Sequence, residues 1–125
     1  MDFSNAGIIL NTEKYKECVR FYGEILELTL LFEIDRPDEQ LSCFDLGGAY
    51  LMVETGGQSH PNVKPIDRCP TKFRFNVADV EAVSAELCSK GVRIEVRHHD
   101  WGTTAEFADP DGNRCALRSD VGFDA

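Results

Sequence analysis

The order strand, helix, strand, strand, strand occurs twice along this chain of 125 residues, and that repetition constrains its fold more than any other feature. The first copy opens with the apolar run Ile8, Ile9 and Leu10. Thr12 follows as a candidate cap for a helix over residues 13–27, in which Tyr15, Cys18, Val19, Tyr22, Ile25 and Leu26 recur at helical spacing. An apolar-rich strand over 28–34, a turn at Arg36, Pro37, Asp38 and Glu39, and strands over 41–46 and 49–54 around Gly47 and Gly48 complete it. The second copy runs through a strand over 72–77, Asp79 as cap, and a helix carrying Val80, Val83, Leu87 and Cys88 that ends at Gly91. Strands over 92–98 and 103–108, a turn at 109–112 and a strand over 113–118 follow. Gly48 and Gly112 stand 64 positions apart, each ahead of a strand with the same alternation.

One helix covers only one face of a sheet, so each copy leaves a face without a covering layer. The expected solution is an α+β fold of two βαβββ modules whose mixed sheets curl toward each other around a cup, with the helices on the outer faces. A single domain over residues 1–125 is expected, with module one at about 5–54 and module two at about 71–119. Between them, at about 55–70, Gly56, Gly57, Pro61, Pro65 and Pro70 mark a linker.

Phe21 and Tyr22 followed by Leu26 form one recognisable cluster, and Trp101, Gly102, Phe107, the run Asp109-Pro110-Asp111-Gly112-Asn113 and Leu117 form another. On these residues the sequence resembles the vicinal oxygen chelate superfamily, the glyoxalase, bleomycin-resistance and extradiol dioxygenase group, from about Gly7 to Arg118. The run at 109–113 also has a plain structural reading. Pro110 presets a bend, Gly112 takes positive φ, and Asp109 or Asn113 bonds backbone amides. Trp101 reads either as a core or rim aromatic or as a ligand clamp.

In metal-using members of that group, four inward-facing positions carry His, Gln or Glu. The resemblance puts those positions at Gly7, Met52, Lys72 and Ala116, which supply neither imidazole nor hard oxygen donors. No metal and no other cofactor is therefore expected. His60, His98, His99, Asp100, Glu54 and Glu106 are the remaining candidates for an unusual metal site. Neighbouring strand residues point to opposite faces, so His98 and His99 are poorly placed to share an ion.

Period-two alternation from the same positions puts Ile9, Asn11, Tyr50, Met52, Glu54, Lys72, Arg74, Asn76, Arg114 and Arg118 on the inner face. Leu51, Val53, Phe73, Phe75, Val77, Cys115 and Leu117 then face the helices, with Phe73, Phe75 and Leu117 in the core. Bases on an open sheet face are either solvated or paired with Glu54 and Glu106, or they form a site for an anionic ligand with an apolar part. In the second case Tyr50, Met52, Lys72, Arg74, Trp101 and Arg114 are the ligand-binding candidates.

A formal charge of −9 argues against a nucleic-acid partner, since that affinity rests on Lys and Arg neutralising phosphates. The segment from Met1 to Asn5 lacks a basic stretch, and the apolar runs are far too short to span a bilayer, so neither secretion nor a membrane partner is expected. Five widely spaced cysteines with no C-x-x-C pair fit reduced thiols in a cytoplasmic protein. The leading expectation is a metal-independent small-molecule binding protein, in the manner of the family's antibiotic-sequestering or resistance members. The alternative is a lyase- or dioxygenase-like enzyme with a non-standard site, in which Lys72 serves as base or electrostatic stabiliser. The resemblance also implies a homodimer.

Overall fold

The computed structural model describes residues 1–123 and divides into two compact units between Ser59 and His60. In the first, strand β1 (Gly7–Thr12) leads into helix α1 (Tyr15–Arg20), which widens into a π-helical turn over Phe21–Ile25. Strands β2 (Leu30–Arg36), β3 (Glu39–Asp45) and β4 (Tyr50–Thr55) follow. They form one four-stranded sheet in the order β1-β4-β3-β2, with β1 parallel to β4 and the other pairs antiparallel. The parallel pair needs a long crossover, which the helix and the two intervening strands provide.

The register assigns the faces. Leu10 and Thr12 on β1 share a face with Leu51 and Val53 on β4 and with Ser42 and Phe44 on β3. All six are buried, under the helical segment. Tyr15 bonds Ser42 through its hydroxyl at 2.5 Å, the Cys18 thiol donates to Thr12 Oγ1 at 3.7 Å, and Gly23 lies so close to the Phe44 ring that a Cβ would sit 3.0 Å from it. The helix starts at Tyr15 rather than at residue 13, because Thr12 is still held in the β1–β4 ladder. Its hydroxyl accepts the Lys14 N–H at 2.8 Å, a local bond that stands in for a cap. The π turn is closed by the Leu26 N–H on the Phe21 carbonyl, five residues back, and Glu27 at φ 60° ends the segment.

The second unit holds β5 (Phe73–Val77), α2 (Val80–Ser89), β6 (Glu95–His99), β7 (Gly102–Ala108) and β8 (Arg114–Ser119). Their sheet order is β5-β8-β7-β6, the same plan as in the first unit, with β5 parallel to β8. The expected α+β pair of βαβββ modules is what the chain adopts. Asp79 caps α2 as expected, accepting the Ala82 N–H at 3.0 Å, and Gly91 sits at φ 92° where the helix ends. Buried Val80, Ser84 and Leu87 line one side of α2, and Ala105, Phe107, Cys115 and Leu117 are buried in the sheet. Phe73 and Phe75 fall in those same rows but are only half-buried, which corrects the expectation that they lie in the core. They stand on β5, an edge of its own sheet, where packing comes from one side only.

The stretch after Ser59 contains no strand or helix before β5, yet it is fastened at one place. His60 N–H donates to the Asp111 carbonyl at 3.3 Å and Lys64 N–H to the Gly112 carbonyl at 2.8 Å. The Lys64 ammonium reaches Asp111 Oδ2 and Asn113 Oδ1, both at 2.8 Å. Gly112 at φ 90° is required twice over, since a Cβ there would stand 2.7 Å from the Asn62 carbonyl oxygen. Asp109 braces the turn from within, accepting from the Asp111 and Asn113 N–H groups at 2.9 Å and from Asn113 Nδ2 at 2.8 Å. No helix among the described residues is long and apolar enough to cross a membrane.

Candidate functional site

Each sheet has a face that its helix does not cover. In the first module this face holds Gly7, Ile9 and Asn11 on β1, paired in register with Tyr50, Met52 and Glu54 on β4. The Tyr50 ring lies over Gly7, where any Cβ would run into it, so glycine is what lets the ring lie flat on the strand. Met52 is flanked in register by Ile9 and Cys43. Cys43 is buried, and desolvation pushes its thiol pKa above the ordinary value.

In the second module the corresponding face carries the charges. Lys72, just ahead of β5, places its ammonium 3.0 Å from Glu106 Oε1, and Glu106 is the register partner of Ala116. Arg74, two residues on, is exposed and makes no ion pair among the described residues. Its guanidinium carbon sits 5.7 Å from the centroid of the Phe123 ring. Arg114 turns toward the chain ahead of β5, where Nη2 donates to the carbonyls of Cys69 at 3.4 Å and Thr71 at 3.2 Å. These bonds occupy one of its nitrogens in holding backbone.

Trp101 occupies the two-residue turn between β6 and β7, and its ring stacks on His99 with centroids 4.3 Å apart and planes 3° from parallel. His99 also bonds Thr104 Oγ1 at 2.9 Å. Arg118 is the group that alternation placed correctly but that the candidate set omitted. It is 3% exposed, and its Nη1 donates to Ser119 O at 2.6 Å, Ser119 Oγ at 2.7 Å and Val121 O at 3.4 Å. Nη2 donates to Trp101 O at 3.0 Å, and the guanidinium carbon lies 4.9 Å from the Trp101 ring centroid and 5.7 Å from that of Phe123. A Cβ on Gly102 would collide with this guanidinium, which explains physically why glycine follows Trp101. Glu106 is an expected partner of the inner-face bases, and the fold shows that Lys72 is the base it meets; Phe123 as a partner and Lys64 as a fastener carry no periodic signal in the sequence, and only the folded chain brings them to these contacts.

The histidines do not converge. His98 pairs with Glu81 at the start of α2, at 3.2 Å, while His99 lies with Thr104 on the other side of the strand and His60 bonds the carbonyl of Asn62. Among the described residues, no three His, Cys, Asp or Glu side chains are grouped as a metal would need. The four positions at which the family's metal ligands were expected present an open backbone under a tyrosine ring, a thioether, an ion-paired ammonium and a methyl group. That donor set does not fit a divalent ion.

Tandem βαβββ modules, each with its first strand parallel to its last and one helix-free face, define a class of paired-module α+β proteins. A family model described as the Glyoxalase/Bleomycin resistance protein/Dioxygenase superfamily matches residues 6–117, and the chain belongs to that superfamily. No match is found among curated proteins. The fold is similar to that of a glyoxalase family protein from Enterococcus faecalis, at 25% identity and a TM-score of 0.71, covering 94% of this chain and 96% of that one. It is also similar to TnmS3, an antibiotic binding protein from Streptomyces sp. CB03234, at 23% identity and a TM-score of 0.70, covering 95% and 98%. A lactoylglutathione lyase from Agrobacterium tumefaciens matches at 16% identity and a TM-score of 0.71, covering 98% of both chains.

Proposed function

We propose that this protein is a metal-independent small-molecule binder of the superfamily, cytoplasmic and homodimeric, with a sequestering or resistance role and a ligand that is anionic with an apolar part. The observation that carries this reading is the chemistry at Gly7, Met52, Lys72 and Ala116, where a ring, a thioether, a paired ammonium and a methyl stand in place of hard donors. Anion preference is supported by Arg74, an exposed guanidinium with no carboxylate partner among the described residues, next to Lys72 on the same strand face. Tyr50 and Met52 supply apolar surface on the helix-free face of the first module. The antibiotic-binding neighbour is precedent for this fold holding a ligand, and five cysteines with no disulfide between them suit a reducing compartment.

Metal analysis of the purified protein, followed by a thermal-shift screen with anionic, neutral and cationic small molecules, tests the proposal. Metal content well below one equivalent per chain, no effect of chelator, and stabilisation by anions with an apolar part are expected. Arg74→Gln or Lys72→Met should weaken the best anion by about 10- to 100-fold, the range for hydrogen bonds to charged groups. Zinc, manganese or iron near one equivalent per chain overturns the reading in favour of an enzyme with a non-standard site.

A further inference from the structure

On the helix-free face of the second sheet, two guanidinium groups from neighbouring strands share one aromatic ring. Arg74 on β5 and Arg118 on β8 each lie 5.7 Å from the centroid of Phe123, which the chain delivers by turning back after Ser119. Within this module the two strands are adjacent and the two cations share the face that α2 does not cover, set diagonally, with Arg74 opposite Ala116 and Arg118 opposite Asn76. Arg118 is held by Ser119, Val121 and Trp101, whereas Arg74 makes no ion pair among the described residues and has the Phe123 ring against it. Phe123 itself remains half exposed, at 52%, so the ring rests on the platform without being packed into a core.

A planar guanidinium can stack a ring on its face while its in-plane N–H groups remain free to bind an anion. We propose that the Arg74–Arg118 pair is a subsite for the aromatic ring of an aryl carboxylate or related aryl anion, and that Phe123 competes with that ring for the same cationic platform. The anionic group then takes the in-plane donors of Arg74, the cation here with no carboxylate partner among the described residues. Trp101, stacked on His99 and 4.9 Å from the Arg118 guanidinium, forms the next layer of the same stack and resists its rearrangement. This inference rests on the small-molecule reading above and adds a ligand class and an internal competitor to it.

Calorimetric titration of the full chain with naphthalene-2-carboxylate and with its saturated counterpart, decahydronaphthalene-2-carboxylate, separates ring stacking from simple apolar contact. Phe123→Ala should bind the aromatic acid about three- to five-fold more tightly than the parent, the scale of one exposed cation–π contact, and should not gain for the saturated acid. Adding Arg74→Gln to Phe123→Ala should remove the gain. Unchanged or weaker binding of the aromatic acid by Phe123→Ala overturns the competition while leaving the anion-binding reading intact. An equal gain for both acids overturns the cation–π subsite, since Phe123 would then merely shield apolar surface. If neither parent nor variant binds either acid, the subsite falls, and the screen described above decides separately whether the wider binding reading survives.

Discussion

Lys64 holds a buried carboxylate from a stretch with no regular structure. Its side chain is 19% exposed and its ammonium faces Asp111, whose side chain is fully buried. Burying a carboxylate costs several kcal/mol unless it is paired, so removing the partner is worse than never having had the pair. Lys64→Met should therefore destabilise by about 2–3 kcal/mol, at the low end for buried pairs because solvent reaches the ammonium. In a chain of this size that corresponds to roughly 6–12 °C of melting temperature by calorimetry. A change below about 2 °C would mean that the other groups around Asp111, or water, already satisfy it when Lys64 is absent. A different, exposed contact works mainly by hydrogen bonding. Glu13 accepts both the N–H and the hydroxyl of Ser59 at 2.6 Å, and these bonds hold its carboxyl pKa below the usual value.

At the scale of elements, the two modules were legible where periodicity is enforced by burial. Leu117 on central strand β8 is 2% exposed, whereas Phe75, its register partner, is half-buried on edge strand β5. Alternation assigns both to the same face, but only the sheet order says which strand has neighbours on both sides. The larger residue should therefore matter less. Leu117→Ala is expected to cost about 2–5 kcal/mol and Phe75→Ala about 1–2 kcal/mol, read from urea unfolding. A greater loss at Phe75 would mean that β5 gains cover that this register does not supply. The same contrast accounts for the helix: Tyr15, Cys18 and Tyr22 were placed by their spacing, but the start at Tyr15 and the π turn over Phe21–Ile25 depend on Thr12 staying in the ladder and on Phe44 approaching Gly23.

At the scale of the whole molecule, assembly is where an edge strand counts. Strand β2 is one of the two edges of the first sheet, β1 being the other, and exposes Leu30, Leu31 and Phe32 in succession, with Leu31 at 52%. Unpaired backbone groups beside consecutive apolar side chains favour pairing with another copy, although the charge of −9 opposes close approach at low salt. Light scattering at physiological salt should give the mass of two 14.0 kDa chains, and Leu31→Lys should return it to one. A parent that runs as a single chain at tens of micromolar would remove the homodimer from the proposal.

The sequence by itself determined the doubled βαβββ plan, the helix caps and ends at Asp79 and Gly91, the turn at Asp109 to Asn113, and the donor-poor residues at Gly7, Met52, Lys72 and Ala116. These follow from local spacing and from the chemistry of single residue types, which need no partner to be read. Glu106 was already an expected partner for the inner-face bases, but only tertiary structure decided that Lys72 is the base that meets it, that Arg114 bonds the backbone of Cys69 and Thr71, and that Lys64 closes on Asp111. It also brought Phe123 onto Arg74 and Arg118. Long flexible side chains and irregular segments carry no periodicity, so their partners are set by which strands become neighbours and by which buried charges must be neutralised.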